Sequence, residues 1–204
     1  MKADLLKPLT LAVLVALSTV PAAQAQENGE AGTADATSGL DMGSDVTAER
    51  QPGQVYVAEV HGDWERRCAF NPNGEDPCQM YQLLKDSDGT PVAEFNLMRL
   101  QEGAQAAAVG TFVAPLETLL TERLTLSVDG GSGKQYAFRL CTAQGCVVQL
   151  GLTDDEIHQM KAGNVATASI VPAIAPDQRV NLSLSLTGFT AAYDALTVPA
   201  APQQ

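Results

Sequence analysis

Basic residues are scarce in this chain. Lys and Arg total 12 against 24 Asp and Glu in 204 residues, for a formal net charge of −12. Nucleic-acid binding needs cationic clusters that neutralise phosphates, and none occurs, so no nucleic-acid partner is expected. The same charge repels an anionic membrane surface. Histidine is scarce as well, with two residues, His61 and His158. A Gly-x-Ser-x-Gly nucleophile elbow and a Cys-x-x-Cys redox motif are both missing. Aromatic residues make up 5%, with one tryptophan, Trp64. Near the start an apolar run at residues 9–20 covers 12 positions, well short of the roughly 20 that a spanning helix needs.

What is present begins with that run. Lys2 and Lys7 precede it and Ala23-Gln24-Ala25 follows, which together read as a secretory signal at residues 1–25, cleaved near Ala25. No transmembrane segment remains after cleavage. Periplasmic, outer-membrane-associated or secreted localisation is expected. Residues 26–54 are rich in Gly, Ala, Ser, Thr and acidic side chains and bury too little to order themselves, which predicts a flexible acidic linker. A β-rich domain is expected over 55–196, and a disordered tail over 197–204.

From Val55 the apolar pattern has period two, broken by turn residues such as Asn71-Pro72-Asn73-Gly74 and Asp86-Ser87-Asp88-Gly89. About nine or ten short strands follow. One helix interrupts them, opened by the capping box Thr153-Asp154-Asp155-Glu156 and stopped by Gly163, with Ile157 and Met160 toward the core. The fold class expected is all-β, an antiparallel sandwich or barrel-like domain with one short helix.

Four cysteines in an exported chain imply two disulfides. Cys68–Cys78 and Cys141–Cys146 are the local pairs, each across turn residues. Chain-entropy arguments assign them about 2.8 and about 2.2 kcal/mol. Cross-pairing would tie the two regions together and stays open on sequence alone. For zinc, the second spacing fits a knuckle and the first does not.

Other chemistry is thin. Gly130-Gly131-Ser132-Gly133-Lys134 lacks the phosphate-loop spacing and reads as a hairpin turn. Asp154, Asp155 and Glu156 are explained by capping rather than by a metal. Asn181-Leu182-Ser183 matches a glycosylation sequon but lies mid-strand. No catalytic, metal or cofactor residues are assigned. Trp64, Tyr81 and Phe95 are candidates either for the wall of a ligand cavity or for ordinary core.

Several motifs in order resemble a known family. They are Gly62-Asp63-Trp64 with Cys68, Cys78-Gln79-Met80 with Gln82, Pro115, Leu124, Asp129-Gly130, Phe138 with Cys141, and Gly145-Cys146. Lys161-Ala162-Gly163 and Gly188-Phe189-Thr190-Ala191-Ala192 complete the set, which spans 57–196. This set resembles the invasion-associated locus B proteins of α-proteobacteria. Two departures stand out: Leu116-Glu117 where a Pro-x-Gly turn is usual, and a long acidic linker. The resemblance implies an exported β-rich envelope protein without an established reaction. The function expected is non-enzymatic binding of an envelope protein or outer-membrane component, with invasion implied only by the family. The alternatives are a small-ligand-binding periplasmic β-protein, or a hydrolase built on a carboxylate pair or His61.

Overall fold

Alternating apolar residues become strand after strand in a computed structural model, which describes residues 50–198 together with Asp41 and Gly43. The predicted signal, most of the linker and residues 199–204 lie outside the described residues. Strands β1 (Val55–His61), β2 (Trp64–Ala69), β3 (Cys78–Lys85), β4 (Pro91–Arg99) and β5 (Ala108–Ala114) come first in the chain. Strands β6 (Leu124–Val128), β7 (Lys134–Tyr136), β8 (Phe138–Thr142) and β9 (Gly145–Leu152) lead to helix α1 (Asp154–Ala162). After it come β10 (Val165–Ile170), β11 (Val180–Ser185) and helix α2 (Phe189–Asp194).

The eleven strands form two antiparallel sheets, a large one in the order β1-β2-β3-β4-β5-β9-β8 and a small one in the order β11-β10-β6-β7. Their inner faces share one core containing Trp64, Met80, Leu84, Phe95, Phe112, Leu150, Leu126 and Leu182. This is the expected all-β sandwich, with two differences of detail. Against the nine or ten strands expected there are eleven, because residues 134–142 form two strands: β7 pairs with β6 and β8 with β9. The break at Ala137 carries the chain from one sheet to the other, as sandwich corners do.

The second difference is α2, a helix the sequence pattern did not suggest. Its N-cap is Gly188 in the left-handed region, with no capping side chain, and it spans 6 residues. It forms because Phe189, Ala192 and Tyr193 are buried against the core rather than because of its own propensity. Helix α1 follows its sequence signals. The Thr153 side chain accepts from the Glu156 N–H, the Glu156 carboxylate accepts from the Thr153 N–H, and Ile157 and Met160 are buried.

Residues 53 and 54 already belong to the β1–β2 hairpin, since Gly53 N–H donates to the Phe70 carbonyl and Phe70 N–H to that of Gln54. In the departure after Pro115, Leu116 is exposed and Thr118 forms a bridge to Pro172.

Candidate functional site

The two sheets are joined at a seam. Trp64 is fully buried, its indole N–H donating to the Ser185 carbonyl at 2.8 Å, and its rings meet Phe95 and Phe189 edge-on at 6.1 and 5.4 Å. Gln82, also buried, donates to the same carbonyl at 3.0 Å and accepts from the Ser185 N–H at 2.7 Å. Beside them the backbones of two glycines touch. A Cβ on Gly188 would lie 2.1 Å from the His61 carbonyl oxygen, and one on Gly62 2.5 Å from that of Thr187. Both have positive φ, 84° and 59°, so glycine is required twice over.

Asp129, just after β6, ties it to the start of β10 within the small sheet. Its carboxylate accepts from the backbone N–H groups of Val165 and Asn164, in that order of importance, which holds it below the usual carboxylate range.

Cysteine pairing is local, Cys68 with Cys78 and Cys141 with Cys146, each pair directly opposite across an antiparallel ladder. The Arg66 guanidinium lies 3.4 Å from Cys78 Sγ and also donates to Glu59 at 2.8 Å. His61 contacts the other Glu59 oxygen at 2.8 Å. Hydrogen bonds from Arg66 and then His61 hold the Glu59 carboxyl below its ordinary range. His158 is exposed on α1. Lys134 pairs with Glu156 at 2.9 Å at the start of β7, and Asn181 sits exposed on β11. Among the described residues no three His, Cys, Asp or Glu side chains are placed to hold a metal, and no helix is long and apolar enough to cross a membrane.

The outer face of the large sheet is different. Val55, Val57 and Val60 on edge strand β1 are 60%, 49% and 65% exposed. In register beside them, Arg67 faces Val57 and Glu65 faces Val60. Tyr81 is the next neighbour of Glu65. Arg67 lies 3.3 Å over the Tyr81 ring and pairs with Glu65 at 2.7 Å. Burial, then Glu94, pushes the Tyr81 hydroxyl up.

Past Tyr81 the face opens into a groove of about 650 Å³ whose lining includes Asp63, Tyr81, Leu83, Lys85 and Ser183. Of the three aromatic candidates, Trp64 and Phe95 therefore share the inner core, while Tyr81 lies on the opposite face. Sequence reasoning missed Arg67, Leu83 and Lys85. Alternation along β2 and β3 could have grouped them with Tyr81.

The fold defines a class: a disulfide-stapled antiparallel β-sandwich. A family model described as the invasion associated locus B (IalB) protein matches residues 64–197, and the chain belongs to that family. It is 26% identical over 145 residues to an invasion protein B homolog of Brucella abortus strain 2308, covering 70% of this chain and 80% of the relative. The homolog of Brucella abortus biovar 1 strain 9-941 aligns with the same figures, 26% over 145 residues. Among solved structures, the invasion associated protein B of Bartonella henselae superposes with a TM-score of 0.56 at 22% identity. That match spans 66% of this chain and 90% of the other, and it speaks to the fold. These relatives are named for invasion and not for a reaction.

Proposed function

We propose that this chain is a non-enzymatic protein of the bacterial envelope. It is exported by cleavage near Ala25, works in the periplasm or at the outer membrane, and binds another envelope protein through the outer face of its large sheet. The observation that carries this reading is β1. Among the described residues, Val55, Val57 and Val60 stand exposed on a strand that pairs on one side only, with β2. An edge strand offers unpaired N–H and C=O groups, which a polypeptide can satisfy and a hydrocarbon layer cannot. The net charge of −12 favours a protein over an anionic lipid surface. Two disulfides suit an oxidising compartment outside the cytoplasm. The relatives' names speak of invasion, and for this chain the reading extends to the binding step that such a role requires.

A photo-crosslinking residue at Val57, activated in living cells, tests this. The expected result is a recurrent protein adduct, identified by mass spectrometry, that is absent when the probe stands at Asp155 on α1. Adducts to lipid alone, or none at all, would overturn the reading.

A further inference from the structure

The two disulfides differ in their electrostatic surroundings. Alternation along β2 puts Arg66 on the same face as Cys68, beside the staple rather than away from it. Arg66 Nη1 lies 3.4 Å from Cys78 Sγ and 3.8 Å from Cys68 Sγ. Nη2 is bonded to Glu59, and Nε is buried without an acceptor. A sulfur atom in a disulfide accepts weakly, so this guanidinium is under-used where it stands. A thiolate is a charged acceptor and would answer it better. The other staple has no such neighbour. Arg139, two residues before Cys141, donates to Gln149, and no cation bonds Cys141 or Cys146 among the described residues.

We infer that Cys68–Cys78 is a thiol–disulfide exchange site for a dithiol reductant, with the Arg66 guanidinium stabilising the reduced pair. A neighbouring arginine lowers a thiol pKa, and a disulfide whose reduced form is stabilised is the more oxidising one. The reductant's thiolate attacks Cys78 Sγ, Cys78 being the less buried cysteine at 8% exposed against 2%. The Sγ–Sγ bond breaks and its electron pair leaves on Cys68 Sγ, as a thiolate within reach of Arg66 Nη1. The reductant's second thiol then attacks its own sulfur in the mixed disulfide, and Cys78 leaves toward the same Nη1. The reductant ends as a disulfide, two electrons poorer, and the staple has gained them. One of the two protons goes to Cys78, whose thiol faces the Asp76 carbonyl at 3.3 Å. The other goes to solvent, because Cys68 stays a thiolate. Glu59, which also bonds His61, shares the guanidinium and moderates the effect.

Opening this staple acts on β1. It closes the excursion at residues 70–77, where the Asp76 carboxylate accepts from the Tyr56 hydroxyl at 2.5 Å and from the Asn71 N–H at 2.7 Å. Tyr56 stands on β1 directly opposite Cys68. Reduction therefore loosens the strand that the binding reading uses, although the exchange site itself does not rest on that reading.

The full chain, equilibrated in graded mixtures of reduced and oxidised dithiothreitol, tests this. Free thiols are trapped by alkylation and located by peptide mapping. Cys68–Cys78 should open under less reducing conditions than Cys141–Cys146, even though Cys141 is exposed and Cys68 is not. Arg66→Gln should make Cys68–Cys78 harder to reduce by at least about tenfold in the exchange constant, about 30 mV, and leave Cys141–Cys146 where it was. Arg66→Lys keeps the charge and should keep most of the effect. The sign separates this from a structural role, since a merely loosened hairpin would be easier to reduce. Amide exchange in β1 should quicken once the staple opens. The inference is overturned if Cys141–Cys146 opens first, or if Arg66→Gln leaves Cys68–Cys78 unchanged or eases its reduction. Unchanged exchange in β1 would remove the link to that strand. Should Arg66→Gln misfold, the order of opening in the unsubstituted protein decides.

Discussion

The two faces of the large sheet make opposite use of their residues. On the inner face, Trp64, Gln82, Gly62, Gly188 and Phe189 lock the sheets together through Ser185 and a backbone-to-backbone contact. On the outer face, Val57, Arg67, Tyr81, Leu83 and Lys85 hold nothing together beyond their own sheet, and three valines of β1 stand in solvent. Gly62, Trp64, Gln82, Gly188 and Phe189, which carry part of the family resemblance, belong to the first group, while Asp63 of the same Gly62-Asp63-Trp64 motif lines the outer groove.

The largest effects should fall on the seam. Trp64→Ala removes a fully buried ring in contact with Phe95 and Phe189 and orphans the Ser185 carbonyl of one donor. A loss of about 3–5 kcal/mol is expected for such a truncation, read by denaturant unfolding. Gln82→Ala should cost less, about 1–3 kcal/mol, because the Ser185 N–H loses its acceptor while little volume is lost. A Trp64→Ala protein that unfolds at the same denaturant concentration as the parent would break the contrast between the faces.

An intermediate effect belongs to Asp129. Its folded-state pKa lies below the ordinary 3.8 because Val165 and Asn164 N–H groups bond the carboxylate. The unfolded chain binds the proton more tightly there, so the stabilisation is complete above the unfolded pKa and is lost as pH falls through the folded one. Asp129→Asn should flatten that part of the acid limb of a stability-against-pH curve, and asparagine tolerates the positive φ of 46°. An acid limb unchanged by the substitution would assign the pH dependence to other carboxylates, such as Glu59.

Much of the inner face was legible in advance, for physical reasons. The capping box of α1, the turns and the two local cysteine pairs are short-range features, encoded within a few residues of one another. Helix α2 was not legible because its support is tertiary: Phe189 needs Trp64, which lies more than a hundred positions away. Tyr81 was grouped with Trp64 and Phe95 because Met80-Tyr81-Gln82-Leu83-Leu84 is nearly all large side chains, and alternation says little when both faces carry them. Buried Gln82 sits where a leucine would be expected, and only the facing Ser185 backbone accounts for it. The groove was invisible for a related reason. It depends on where β2 stops following β3, a matter of register between strands rather than of composition.

The smallest effect on stability should come from the outer face, and there it is most informative. Val57 is half exposed on an edge strand, opposite Arg67. Val57→Lys removes a β-branched apolar side chain but buries no charge, and a lysine on an edge is a common means of discouraging strand association. Unfolding should shift by no more than about 0.5 kcal/mol. Recovery of the crosslinked partner, read with the probe moved to Val60, should nevertheless fall severalfold. A substitution that leaves the fold intact and removes the partner would separate the two faces experimentally, with stability on the inner and recognition on the outer. If Val57→Lys instead destabilised the protein as Gln82→Ala does, β1 would be part of the structural joint, and the valines would lose their claim to be a binding surface.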